Sequence, residues 1–150
     1  MEADWLTAER LAALRLAFDS AALVLIWLVQ LVIYPVFTYL ARTDFARWHP
    51  VYTRRVTLVV LPVMVGQVII YGLSLVTGTA HWTVWLNAGI IALVWGITFF
   101  RAVPLHALLD APDLEDHVAT AVLLNRINAW RVGVWTVVWG ISVAVFSQGL

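Results

Sequence analysis

The chain has 150 residues, 63% of them hydrophobic and 12% charged, with no cysteine and no net charge at pH 7. Soluble domains carry about 25% charged residues, so half that level with long apolar runs places the chain in the membrane class. The charge balance excludes a nucleic-acid surface, and the missing thiols exclude Fe–S clusters, thiolate metal sites and disulfide chemistry.

All nine cationic residues are Arg, the side chain suited to buried or interfacial pairing because its planar fork makes several fixed hydrogen bonds. Residues 3–15 mix charges with apolar positions. They predict a short amphipathic interfacial helix, not the basic stretch and short apolar core of a cleavable signal peptide. The first span is predicted over residues 16–40. At about 100° per residue Asp19, Gln30, Tyr34 and Phe37 share one face, which looks into the bundle because lipid offers no hydrogen bonds. Pro35 kinks its end.

A polar connection leads to Pro50, which fits a first helical position and makes His49 the N-cap of a second span over residues 51–76. Tyr52, Arg55, Val59, Pro62 and Gly66 are placed on one face of it, while Arg54 reaches the headgroups and Gln67 lies to one side. A third span covers residues 83–103, with Asn87, Val94, Thr98 and Arg101 on one face, and Pro104 ends or bends it. Asp113 is the expected N-cap of a fourth helix starting near Leu114 and extending beyond the membrane, with lipid-depth residues 129–146. On that helix Asn128, Arg131 and Trp135 share a face with His117 and Leu124, and Arg126 points away. His117 reads as a solvated residue, His81 as an interfacial one. The expected fold is all-α, a four-helix transmembrane bundle of up-down topology in one integral membrane domain.

Four crossings put both termini on one side, here the terminal face. His49, Tyr52, Arg54, Arg55, Arg101, His106, Asn125, Asn128 and Arg131 gather on the other, the far face. Seven of the nine Arg fall there (Arg42, Arg47, Arg54, Arg55, Arg101, Arg126 and Arg131). The positive-inside rule then makes the far face cytoplasmic and the termini periplasmic or extracellular, in a bacterial inner membrane.

Several short motifs occur in order: Tyr34-Pro35; His49, Tyr52 and Arg55 as H-x-x-Y-x-x-R; Pro62 and Met64; Pro104-Leu105-His106; and Asn128, Arg131, Trp135 and Thr136. In these the chain resembles a family of small four-helix bacterial integral membrane proteins of uncharacterised function. More distantly it is similar to anthrone-oxygenase-like membrane proteins. The resemblance covers most of the chain. It departs at Gln67, where the family has an acid, and at Val138, where it has an Arg. Losing both charges together is coherent, since a buried ion pair replaced by neutral groups need not destabilise.

The candidate site is a polar pocket of Arg, His and Asn at the cytoplasmic membrane face, formed by His49, Tyr52, Arg55, Arg101, His106, Asn128, Arg131 and Trp135. Guanidiniums bind oxyanions, the amide adds contacts and imidazoles move protons, a set suited to binding or acting on a small lipid-soluble molecule such as a quinone or an anthrone. The alternative is an accessory or structural subunit of a larger membrane complex, its polar cluster only tying helices together. His49 and His106 are also the one candidate metal pair, but two imidazoles without a third strong donor predict no metal. No Ser-His-Asp, P-loop or glycine-rich nucleotide signature names a reaction or a cofactor. Expected partners are the lipid bilayer and a membrane protein or a second copy.

Overall fold

The computed structural model describes residues 7–78, 81–114 and 116–148. Four helices are long and apolar enough to cross a membrane: α1 (Ala8–Val36), α2 (Arg42–Val76), α3 (Trp82–Leu109) and α4 (His117–Ser147). The protein is an all-α four-helix bundle. Large apolar side chains such as Val24, Leu31, Leu58, Ile69, Leu93, Phe100 and Val137 stand exposed around it, as in a surface solvated by acyl chains.

Helix α1 packs along α4 and α2, α3 packs on α4, and the α2–α3 contact is the sparsest between these neighbours. Helix α4 carries the inward stripe most regularly. Ala121, Leu124, Asn128, Arg131, Trp135, Val138 and Ser142 are buried at alternating steps of three and four, a heptad pattern. On α2 the stripe runs through Phe45, His49, Met64, Gln67, Tyr71 and Ser74. The buried residues form two layers. One, toward the terminal face, holds Ile26, Tyr71, Ile91, Val94, Trp135 and Val138; the other, toward the far face, holds Tyr34, Phe37, Phe45, Leu109 and Leu124.

Several boundaries differ from expectation. Helix α1 starts at Ala8 with Thr7 as N-cap and runs unbroken into the first span; residues 3–6 of the expected short helix lie outside the described residues. Its helical part ends at Val36, not at residue 40. Helix α2 begins at Arg42, so Pro50 is inside it and His49 is no N-cap. Proline is tolerated there because the carbonyl it orphans, four residues back, belongs to exposed Ala46. Helix α4 begins at His117, capped by Asp116, whose carboxylate accepts from Val118 N and Ala119 N at 3.0 and 3.1 Å. Asp113 sits in the preceding turn.

At 1.5 Å per residue α2 and α4 are about 52 and 46 Å long, well beyond the roughly 30 Å hydrocarbon core. Arg42, Arg47, Arg54 and Arg55 on α2 and Arg126 on α4 mark the far-face ends over which this excess extends. Two π-helical turns interrupt the spans, Val29–Ile33 in α1 and Thr98–Ala102 in α3. Each lies just ahead of a proline, Pro35 or Pro104, whose ring clashes with the carbonyl four residues back, Leu31 or Phe100. Widening the turn relieves that clash, and such turns concentrate at functional sites.

Candidate functional site

Between the two buried layers lies a cavity of about 260 Å³. Its walls are mostly apolar, from Ile26 and Val29 on α1, Val56, Val60 and Met64 on α2, and Trp95, Thr98 and Ala102 on α3. Both π turns contribute to it, through Val29 and through Thr98, Phe99 and Ala102. The rim residues Leu61, Phe99 and Val103 are about half-exposed, so the mouth opens between α2 and α3 toward lipid.

At its far-face end the cavity turns polar, with Tyr34, Tyr52, His106 and Arg131. Arg131 is 7% exposed. Its Nη1 donates to Asn128 Oδ1 at 3.0 Å, and Asn128 Nδ2 donates to Gln30 Oε1 at 3.0 Å, an amide chain that fixes the guanidinium's orientation. Both phenols, Tyr34 and Tyr52, lie within electrostatic reach of it. Arg131 Nε is buried with no hydrogen-bond partner among the described residues, and so is the indole Nε1 of Trp95 on the cavity wall. Native proteins seldom leave buried donors unpaired, and both of these belong to residues that line the cavity, although the nitrogens themselves are covered.

Behind the cavity runs a chain of hydrogen bonds. The Tyr34 hydroxyl is 2.9 Å from His106 Nε2, His106 Nδ1 is 3.0 Å from His49 Nε2, and His49 Nδ1 is 2.6 Å from Asp110 Oδ1. The imidazoles lie 5.2 Å apart and within 18° of parallel. Phe37 meets both rings edge-on and Phe45 stacks on His49 at 4.9 Å; His49 is fully buried, while His106 is partly open on the cavity. Asp110 closes helix α3, and its side chain is 37% exposed.

The far-face end is tied down separately. Arg42 donates to the carbonyls of Ala111 and Leu114 at 2.8 and 3.2 Å. His117, expected to be solvated, is 6% exposed; its Nε2 is 3.2 Å from the Leu40 carbonyl and its ring packs on Phe45. The α4 stripe forces this, since His117 is one heptad before Leu124.

Of the eight candidate residues, His106, Tyr52, Arg131 and Trp135 line the cavity, His49 stands one layer behind His106, and Asn128 holds Arg131. Arg55 and Arg101 do not join them; both are exposed. On α2 the inward position after Tyr52 is Val56, four residues on, which turns Arg55 away. On α3 the π turn holds more residues than an α turn, so Ala102 takes the place that uninterrupted helical periodicity gives Arg101. Sequence reasoning missed Asp110 and left Tyr34 and Gln30 out of the site, although both fall on the inward face predicted for the first span. The metal candidates His49 and His106 have all four ring nitrogens engaged with each other, Tyr34 and Asp110, so the donor set does not suit a metal ion.

A second polar cluster lies toward the terminal face. Asp19, 1% exposed, accepts from Gln67 Nε2 at 2.5 Å, Tyr71 Oη at 2.8 Å and Ser142 Oγ at 2.5 Å. Asn87 Nδ2 donates to Tyr71 Oη, Ser142 Oγ and the Val138 carbonyl, and Arg15 Nη1 donates to Ser74 Oγ at 2.7 Å. All four helices are cross-linked there, with room for about 10 Å³ beside the network. Gln67 Oε1 and Asn87 Oδ1 are buried without a partner among the described residues, but with so little space beside them the cluster reads as helix–helix adhesion.

No protein-family model matches the chain, and no curated protein or solved structure does.

Proposed function

We propose that the protein binds a small lipid-soluble ring compound bearing a carbonyl or hydroxyl oxygen, in the cavity between α2 and α3, at the cytoplasmic side of a bacterial inner membrane. The observation carrying this reading is the cavity itself: apolar walls at membrane depth, a mouth toward lipid, and unpartnered donors on Arg131 and Trp95. The apolar walls take the rings, while the Arg131 guanidinium and the Trp95 indole turn donors to a carbonyl or hydroxyl oxygen, and the Tyr34 oxygen accepts from a ligand hydroxyl. Quinone- and anthrone-like molecules have this distribution of apolar surface and oxygen. The orientation draws on Arg47, Arg54, Arg55, Arg101 and Arg126, all exposed at the far face, so the inference no longer depends on buried Arg131. Both termini are then periplasmic.

The test is to purify the chain in mild detergent, record its absorbance and intact mass with any co-purifying molecule, and titrate it with 1,4-naphthoquinone. A bound ring compound, or quenching of tryptophan emission that saturates with the quinone, is expected. A colourless, ligand-free protein whose emission the quinone does not quench would overturn the reading.

A second reading, an accessory subunit of a larger membrane complex, is favoured by one observation. Gly89 and Gly96 on α3, and Gly133 and Gly140 on α4, have open space where a Cβ would stand, allowing close approach of another helix. Gly66, by contrast, faces Phe18 inside the bundle.

A further inference from the structure

We propose that Tyr34, His106, His49 and Asp110 form a proton relay, which takes a proton from the hydroxyl of a phenol, hydroquinone or enol in the cavity and delivers it to water at the far face. This rests on the cavity being the ring-binding site. The four groups are in unbroken hydrogen-bond contact over three links of 2.9, 3.0 and 2.6 Å. One end, Tyr34, is 4% exposed and lines the cavity; the other, Asp110, is 37% exposed. The mouth of the cavity opens to lipid, which conducts no protons, so the chain offers a polar route from a bound hydroxyl to water.

One assignment of hydrogens satisfies all three links with both imidazoles neutral and Asp110 ionised. The Tyr34 hydroxyl donates to His106 Nε2, His106 Nδ1–H donates to His49 Nε2, and His49 Nδ1–H donates to the Asp110 carboxylate. Transfer moves one proton across each link. The ligand O–H bond breaks and its proton passes to the Tyr34 oxygen, the Tyr34 proton to His106 Nε2, the His106 Nδ1 proton to His49 Nε2, and the His49 Nδ1 proton to Asp110. The electron pair of the broken O–H bond stays on the ligand oxygen. Afterwards Tyr34 is neutral, each imidazole is neutral in its other tautomer, and Asp110 carries the proton it releases to water. The only new buried charge is the ligand oxyanion, which faces Arg131. The same shifts in reverse reprotonate it. No middle member has to hold a charge against the Phe37 and Phe45 rings, where an isolated ion is expensive. Other titratable or charged groups around the chain are Tyr52, beside His49; His117, across Phe45; Arg131, at the Tyr34 end; and Arg42, bonded to the Ala111 carbonyl next to Asp110.

The test uses the full chain in lipid nanodiscs with 2-naphthol, whose anion absorbs apart from the neutral form. Binding is read from quenching of tryptophan emission. After a rapid pH jump, ionisation of the bound naphthol is followed at the naphtholate band. In His49→Phe and Asp110→Asn the expected outcome is unchanged affinity and final amplitude, with ionisation slowed at least about tenfold, a modest share of what positioned proton transfer supplies. Phenylalanine suits position 49 because its neighbours are already aromatic, and if that variant fails to fold, the exposed Asp110→Asn decides. Equal rates in wild type and both variants, or loss of binding in Asp110→Asn, would overturn the relay and leave the cavity reading standing. Failure of wild type to bind 2-naphthol would overturn both.

Discussion

Arg131 is the residue on which the candidate site turns. Its Nη1 donates to Asn128, its guanidinium also meets the Tyr34 phenol, and its buried Nε has no partner among the described residues. Arg131→Met keeps length and apolar volume but removes a charged donor worth about 1.5–3 kcal/mol, so 1,4-naphthoquinone should bind roughly tenfold to a hundredfold more weakly by tryptophan quenching. Tyr34→Phe deletes the hydrogen bond to His106 and the contact of the phenol with the Arg131 guanidinium, and its thermal stability should fall by about 1–3 kcal/mol. Asp19 differs from both, because three donors converge on its carboxylate at 2.5–2.8 Å. In Asp19→Asn an amide N–H must face one of those donors, and the loss should be about 2–3 kcal/mol by detergent-solution unfolding, with naphthoquinone binding intact. A fall in binding equal to that in Arg131→Met would tie the two clusters together and contradict the assignment of the terminal-face network to adhesion.

At the scale of the helices, the paired proline and π turns shape the cavity. In Pro104→Ala the α3 backbone regains ordinary helical bonding from Thr98 onward, and the turn tightens. Position 101 should then rotate toward the interior. The native chain has no cysteine, so Arg101→Cys with and without Pro104→Ala gives a clean comparison. Labelling by a water-soluble maleimide should slow in the double variant, and naphthoquinone affinity should drop with it. Unchanged labelling would mean that proline does not hold the π turn open. The same turn explains how much of the site was legible. Periodicity alone placed Asn128, Arg131 and Trp135 together on α4, where the helix is regular, and put Asp19, Gln30, Tyr34 and Phe37 on one side of the first span although a π turn interrupts it at Val29–Ile33. It failed on α3 because one wide turn resets the phase, and on α2 because a step of three was chosen over a step of four after Tyr52. Ser142 was legible as a further step along the α4 stripe, Trp135 plus seven, whereas Tyr71 was not, because the α2 face predicted from periodicity runs through Tyr52, Arg55 and Gly66 with Gln67 to one side. Nor was Asp110, since a carboxylate at a helix end carries no sequence mark of which imidazole it will meet.

For the whole molecule, the even number of crossings explains why residues 57 positions apart in sequence, His49 and His106, meet at one face. Composition and four long apolar runs sufficed for that arrangement, whereas the cavity depends on how four surfaces fail to fill space, which no single helix encodes. Single cysteines at Thr7 and Ser147 on one side, and at Thr43 and Asp113 on the other, test the orientation in intact cells. An impermeant maleimide should label the first pair only. Labelling of the second pair alone would invert the topology and place the exposed end of the imidazole chain outside the cytoplasm.

The gap framed by Leu61, Phe99 and Val103 has a thermodynamic corollary. A compound arriving sideways from the acyl chains has shed its hydration before it reaches the protein. Occupancy is then governed by its mole fraction in the bilayer rather than by its concentration in the buffer. Titrations at different lipid-to-protein ratios should collapse onto one curve only when plotted against the membrane-dissolved fraction. A sulfonated analogue with the same rings, confined to water, should leave the protein empty.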